Sequence, residues 1–370
     1  MSVAEAATMT PLERDVRKRI AAAGPMPVAQ YMALCLGDPQ HGYYTTRDPL
    51  GAHGDFTTAP EVSQMFGELI GLWMATVWKQ MGAPENVRLV ELGPGRGTLM
   101  ADALRAAKVV PEFLAAAVLH LVETSPVLQA QQEKTLAPLN VSALWHTTLA
   151  DVPGGPSIII ANEFFDALPV QQAVKKADGW HMRTVAIGDD GALTFSHERT
   201  SLKTFECTLP ARLRSAREDE IFEWRSDTAA LELGRHLREP GAALVIDYGH
   251  IESATGDTLQ AVGRHSFADP LSTPGDVDLT AHVDFEWLAD QVECMGATVH
   301  GPVTQAHFLA KLGIDARAKT LRKGATPSKA AEIDAALDRL TGHGRTGMGS
   351  LFKVIGFAHK SVGTLPGFEP

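Results

Sequence analysis

The chain has 370 residues, and its 33 Lys and Arg against 44 Asp and Glu give a formal net charge of -11. With 45% hydrophobic and 21% charged residues, it has too much apolar content for bulk disorder. The acidic balance argues against nucleic acid, whose phosphates require a basic footprint. The most apolar helical stretch, 65–78, contains Glu68 and is too short for a membrane span. Cys35, Cys207 and Cys294 lie far apart, with neither zinc spacing nor an even disulfide framework. The N-terminus shows no apolar signal core and carries Glu5, Glu13 and Asp15, which are unlike a transit peptide, so the cytoplasm is expected.

Thr10-Pro11-Leu12-Glu13 reads as a capping box with Pro in the first turn, opening a helix to Ala23. A second short helix follows Pro27 and ends near Leu36. The segment 37–60, GDPQHGYYTTRDPLGAHGDFTTAP, is a long Gly- and Pro-rich loop with two adjacent tyrosines. Long loops in compact proteins are often functional, and this one is expected to close over a ligand as a lid. It carries Tyr43, Tyr44, Phe56, Thr57 and Thr58, while His41 and His53 in it read as solvated. Thr58-Ala59-Pro60-Glu61 reads as another capping box, opening an amphipathic helix with Val62, Met65, Phe66, Leu69, Trp73 and Val77 on one face.

From Asn86 the pattern changes to short apolar runs between helices. Strands are expected at 88–92, 118–122, 142–145, 158–161 and 243–247. Continuous apolar runs of this kind indicate a parallel sheet covered on both faces. From 170 to 196, period-2 runs punctuated by Asp178-Gly179 and Asp190-Gly191 read as an antiparallel insertion. A charged, partly helical stretch should follow to Arg238, then helices at 284–295 and 328–340 and strands near 298 and at 350–357.

The sharpest motif is Val90-Glu91-Leu92-Gly93-Pro94-Gly95-Arg96-Gly97-Thr98. A strand runs into a glycine turn and then a helix, so backbone can approach a ligand closely. The spacing is not that of a pyrophosphate site, and Glu91 would repel phosphate. Glu123 ends the second strand, where a carboxylate accepts from ribose hydroxyls. Glu91, Gly93, Gly95, Gly97 and Glu123 together describe an S-adenosylmethionine site. Thr57, Thr58, Glu61 and Asn162 are assigned to the same ligand.

The fourth strand ends in Asn162-Glu163-Phe164-Phe165-Asp166. Ligands of open α/β sheets sit beyond the carboxyl ends of strands, so the methyl acceptor is expected here. Carboxylates bind a guanidinium bidentately, which makes Glu163 and Asp166 the catalytic candidates with Asn162. A helix cap is the plainer alternative for Asp166. Asp247-Tyr248-Gly249 ends the fifth strand, with Tyr248 a candidate for the acceptor pocket and a strand-end turn as its alternative. His282 is a further catalytic candidate, paired with Asp284 unless the latter caps a helix.

The stretches GDPQHGYYTTRDPLGAHGDFTTAPEVSQMFGELIG, VELGPGRGTLM, ANEFFDALPV, VIDYGH, TAHVDF and MGSLFKVIGF run from Gly37 to Phe357. With them the chain resembles the MidA-like family of class I methyltransferases, which includes the mitochondrial complex I assembly factor with protein-arginine methyltransferase activity. The resemblance implies a Rossmann-like seven-stranded α/β sheet, S-adenosylmethionine as cofactor, and an arginine acceptor on a complex I subunit. The expected division is 1–59 as N-terminal helices and lid, 60–169 with 239–370 as the methyltransferase core, and 170–238 as an insertion for substrate or partner. A protein substrate, no nucleic acid, no membrane insertion and a homodimer complete the expectations. The rival reading is a non-catalytic complex I assembly factor that keeps its cofactor site. A dinucleotide oxidoreductase is disfavoured by the glycine spacing and Glu91.

Overall fold

The computed structural model describes residues 9–46, 57–263, 266–344 and 347–370. Its centre is a sheet with seven strands in line, β1 (Val87–Leu92), β2 (Ala117–Val122), β3 (Ala143–His146), β4 (Ser157–Asn162), β5 (Gly241–His250), β6 (Thr298–Thr304) and β7 (Phe352–Ala358), and the two-residue strand Val283–Asp284 pairing with the end of β5. Their spatial order is β3-β2-β1-β4-β5-β7-β6. The first five strands pair in parallel, and β7 runs antiparallel between β5 and β6. The order reverses between β1 and β4, and a crevice opens at the carboxyl ends there.

The apolar runs are continuous because both faces are covered. Ile158 and Ile160 pack into one cluster, while Ile159 and Ala161 pack into the opposite one, as the two-residue period of a strand requires. Each such isoleucine contributes roughly 1.5–3 kcal/mol on burial. The first face is covered by α1 (Gln64–Gln80) and α2 (Thr98–Ala106). These two helices cross closely because a Cβ at Gly71 would lie 2.3 Å from the Ala103 carbonyl oxygen. The second face is covered by α4 (Thr228–His236) and α5 (Phe285–Glu293), with α3 (Pro126–Leu136) placed after β2.

Ser63, not Thr58, caps α1: its hydroxyl accepts from Met65 N–H at 3.2 Å, and the Thr58 side chain makes no cap bond. Ser63 is extended (φ -164, ψ 140), so the expected single helix is a short Ala59–Val62 turn followed by α1. Thr10 does cap its helix, accepting from Glu13 N–H, whereas the Glu13 carboxylate takes Arg17.

The antiparallel strands Val170–Lys176, Gly179–Ile187 and Leu193–His197 form beside the core. Two further strands join them. Met26–Pro27 pairs with Gly179–Ile187, and Ile221–Arg225 pairs with Val170–Lys176. The N-terminal helices therefore share an apolar cluster with this sheet: Leu12, Tyr31 and Met32 pack with Val170 and Val185. Gln260–Gly263, Ser266–Ala268 and Asp278–Thr280 make a third small sheet. Among the described residues, no helix is long and apolar enough to cross a membrane.

Candidate active site

The turn after β1 is built on left-handed backbone at Gly93 (φ 60), Gly95 (φ 55) and Gly97 (φ 80), a region that side chains rarely adopt. Gly93 N–H donates to the Val122 carbonyl at 3.0 Å, which ties the turn to β2. Gly93, Pro94, Gly95, Arg96 and Thr98 line one side of a cavity of about 350 Å³. Gly97 does not line it; a Cβ there would meet Gln132 of α3 at 3.4 Å, so this glycine serves helix packing.

Glu91 points into the cavity floor at 3% exposure, and its Oε2 has no partner. Burial pushes its carboxyl up to about 8. Glu123 lines the cavity from the end of β2. Its Oε1 accepts from Ser125 N–H at 2.8 Å, and its Oε2 accepts from Gln132 Nε2 at 3.1 Å. Burial raises this carboxyl and the two donors partly offset it. The cavity therefore has carboxylates flanking a glycine turn, one of them with a free oxygen. That donor set suits a ligand with an ammonium group and a vicinal diol, as S-adenosylmethionine has.

Glu61 also lines the cavity, yet its carboxylate is engaged: Thr98 Oγ1 donates to Oε1, and Arg96 Nη1 lies 4.0 Å from Oε2. It clamps the Ala59–Val62 turn to the glycine turn. Thr58 lines the cavity, but Thr57 is exposed and does not. Residues 47–56 of the expected lid, with His53 and Phe56, lie outside the described residues. Of its flanks, Tyr44, Thr45 and Thr58 reach the cavity, and Tyr44 Oη donates to Asp278 Oδ2 at 2.9 Å.

The end of the cavity where the acceptor is expected is where β4 stops. Glu163 takes left-handed φ (51), unusual for a residue with a side chain. Its N–H donates to the Ile246 carbonyl at 2.9 Å, which holds the turn against β5. Its Oε1 accepts from Ala59 N–H at 3.2 Å and from Asn162 Nδ2 at 3.1 Å. Burial, then the nearby Asp166, pushes the Glu163 carboxyl up to about 8. Asn162 Oδ1 and Asp166 Oδ1 are buried without partners, and both residues line the cavity. Burial raises Asp166, against the opposing pull of Tyr248 and Arg225. The hydroxyl-bearing ring of Tyr248 lines the same end and packs edge-on against Phe352.

His282 is not brought into the cavity. Its ring stands 5.7 Å behind that of Tyr248, and its carbonyl accepts from Arg225. It does not pair with Asp284, which accepts from Trp287 N–H to cap α5 and faces His250 at 3.7 Å. Asp247 does not line the cavity either. It accepts from the N–H groups of Phe165, Asp166 and Tyr248 and so sets the path of the turn carrying Asp166. Among the described residues, no group of side chains could hold a metal ion.

Two residues escaped the sequence reading. Gln132 on α3 connects Glu123 to the Gly95 carbonyl. Arg225, 5% exposed, reaches from the inserted sheet to four carbonyls: Asp166, Leu168, Ala281 and His282. On a surface helix or strand these residue types read as solvated. The only sequence sign was alternation in Ile221-Phe222-Glu223-Trp224-Arg225.

Residues 69–303 match the family model of S-adenosyl-L-methionine-dependent methyltransferases. The chain is 39% identical to a Drosophila melanogaster protein named protein arginine methyltransferase NDUFAF7 homolog, mitochondrial, over 93% of this chain and 84% of that one. It is 38% identical to the Homo sapiens protein arginine methyltransferase NDUFAF7, mitochondrial, over 85% and 76% respectively. A solved Burkholderia thailandensis protein, described as a likely methyl transferase and bound to S-adenosyl-homocysteine, superposes with a TM-score of 0.83 at 28% identity, over 100% of this chain and 97% of that one. The curated relatives are mitochondrial, which points away from the bacterial cytoplasm expected from the N-terminus, and that expectation is withdrawn. The strand order, the glycine turn with its two carboxylates, and these matches place the chain in the MidA-like family of S-adenosylmethionine-dependent methyltransferases.

Proposed function

We propose that this methyltransferase transfers the methyl group to a protein arginine, with a complex I subunit as the acceptor protein. The observation that carries the reading is the acidic end of the cavity. Glu163 and the unpartnered Asp166 Oδ1 face the same space as Glu91 and Glu123. A planar cation is the ligand that discharges two buried carboxylates at once. The names of the curated relatives support arginine as that cation.

Each end of the cavity has its own work. Glu91 holds the ammonium of the cofactor, Gly93 and Gly95 let it lie close to the backbone, and Glu123 accepts from its ribose. When bound, the cofactor supplies a methyl group on a positively charged sulfur. Glu163, Asp166, Asn162 and Tyr248 hold the guanidinium and fix which nitrogen faces that methyl. Catalysis then rests on orientation and on charges already in place. The inserted sheet stands at the acceptor end, where Arg225 donates to the Asp166 carbonyl and braces that turn.

Glu163→Gln tests the reading, since it keeps size and removes charge. Affinity for S-adenosylhomocysteine should change less than about threefold, because Glu91 and Glu123 hold that ligand. Methyl transfer to an arginine-bearing acceptor should fall by about two orders of magnitude. Normal turnover in the variant would remove Glu163 from the acceptor site. Transfer by neither protein, with cofactor bound by both, would favour an assembly factor that only binds.

A further inference from the structure

Gln132 is wholly buried on α3, and every hydrogen-bonding atom of its amide is used. Nε2 donates to the Gly95 carbonyl at 2.8 Å and to Glu123 Oε2 at 3.1 Å. Oε1 accepts from Trp145 Nε1 at 2.8 Å. An indole nitrogen can only donate, while a carbonyl and a carboxylate can only accept. The amide therefore has one permitted orientation: oxygen toward β3, NH₂ toward the cofactor side. No other side chain of similar size satisfies all three partners. Glutamate would set a second carboxylate against Glu123 and the Gly95 carbonyl. Methionine would leave three polar groups unpaired in the interior.

The consequence falls on Glu123. With Ser125 N–H on one oxygen and Gln132 on the other, the carboxylate cannot turn freely. Its remaining lone pairs are held toward the cavity, and the same amide fixes the carbonyl of the glycine turn.

We infer that Gln132 is a positioning residue that locks Glu123 and the Gly95 turn in register, and through them sets recognition of the cofactor's ribose hydroxyls. The inference rests on Glu123 being the ribose acceptor. Two partner elements that meet a ligand at different points are thereby made to move as one. A packing role would be blind to the ligand's hydroxyls, and a positioning role would not.

The test compares S-adenosylhomocysteine with its 2′,3′-dideoxy analogue by titration calorimetry on the full chain. The wild-type protein should prefer the ribose form by about tenfold to a hundredfold. Gln132→Met should bring that preference to within about threefold, while affinity for the dideoxy analogue stays within about threefold of wild type. Gln132→Glu should lose the preference progressively as pH rises and the introduced carboxyl ionises. Trp145→Phe removes the donor that orients the amide without touching the cavity. It should cut the preference by about threefold, and it keeps the idea testable if the Gln132 variants do not fold. Equal weakening of both ligands in Gln132→Met, or an unchanged preference in Trp145→Phe, overturns the positioning role. Absence of any preference in the wild-type protein overturns the ribose reading of Glu123 instead, and the inference falls with it.

Discussion

Replacing Glu91 with Gln keeps the shape of the cavity floor and removes the group that must lose a proton when the cofactor arrives. Glu91 is 3% exposed with an unpartnered Oε2, and burial holds its carboxyl at about 8. At pH 7 such a group is about nine-tenths protonated. A ligand ammonium beside it favours the ionised form. Binding at pH 7 should therefore release about 0.9 proton, and affinity should rise nearly tenfold between about pH 6 and pH 7. The rise should end near pH 8, where an α-amino group begins to lose its own proton, at about 7.7–8.0. Titration calorimetry in buffers of different ionisation enthalpy counts the protons directly. The wild-type protein should show the release and Glu91→Gln should show almost none, with affinity that is flat below pH 7. The free protein gives a second reading of the same group. Its folded-state carboxyl sits above the ordinary 4.5, so the stability it contributes is complete below pH 4.5 and is lost as pH rises through about 8. The shift from 4.5 to about 8 corresponds to on the order of 5 kcal/mol at about 1.4 kcal/mol per unit, and Glu91→Gln should flatten that slope. Equal proton release by wild type and variant would refute the assignment of Glu91 to the ammonium.

Glu123→Ala removes a charged acceptor and should weaken S-adenosylhomocysteine binding by about 1.5–3 kcal/mol, read by calorimetry; a change under about twofold would move the ribose elsewhere. Gly93→Val places a side chain on left-handed backbone with its Cβ 3.0 Å from the Phe164 ring, so a folded variant should show no measurable binding of S-adenosylhomocysteine by equilibrium dialysis. Arg225→Met takes the guanidinium from four carbonyls, of which that of Asp166 keeps the Ala281 N–H, and leaves Asp166 and Asp247 without a nearby cation. Denaturant unfolding should show a loss of about 3–5 kcal/mol, and a loss below about 1 kcal/mol would mean that water replaces the guanidinium.

The central strands were legible because their sequence and their burial obey one rule. Runs such as Ser157–Asn162 are apolar on both faces, and Val87–Leu92 ends in a turn whose glycines have few other uses. Glu91, Glu123 and Glu163 could be found from position alone, since strand ends at a reversal of order all meet one crevice. Ile221–Arg225 was not legible as a strand because its buried face carries Glu223 and Arg225. Buried charge looks like surface charge until its partners are known. Gln132 was hidden in the same way: a glutamine on a helix reads as solvated, and its partners come from β1, β2 and β3. His282 illustrates the opposite error. It sits in a suggestive motif, but its ring stands edge-on to Tyr248 and does not line the cavity. The cap at Ser63 was missed because Thr58 is followed by Pro and Glu in the spacing a capping box requires.

The most direct measurement maps the methyl group itself. The full chain would be incubated with methyl-labelled S-adenosylmethionine and a mitochondrial extract enriched in complex I subunits, and the labelled peptides sequenced by mass spectrometry. The label should appear on an arginine side chain with the wild-type protein and be strongly reduced with Glu163→Gln. Label on another residue type, or equal labelling by the two proteins, would contradict a guanidinium held at the end of β4.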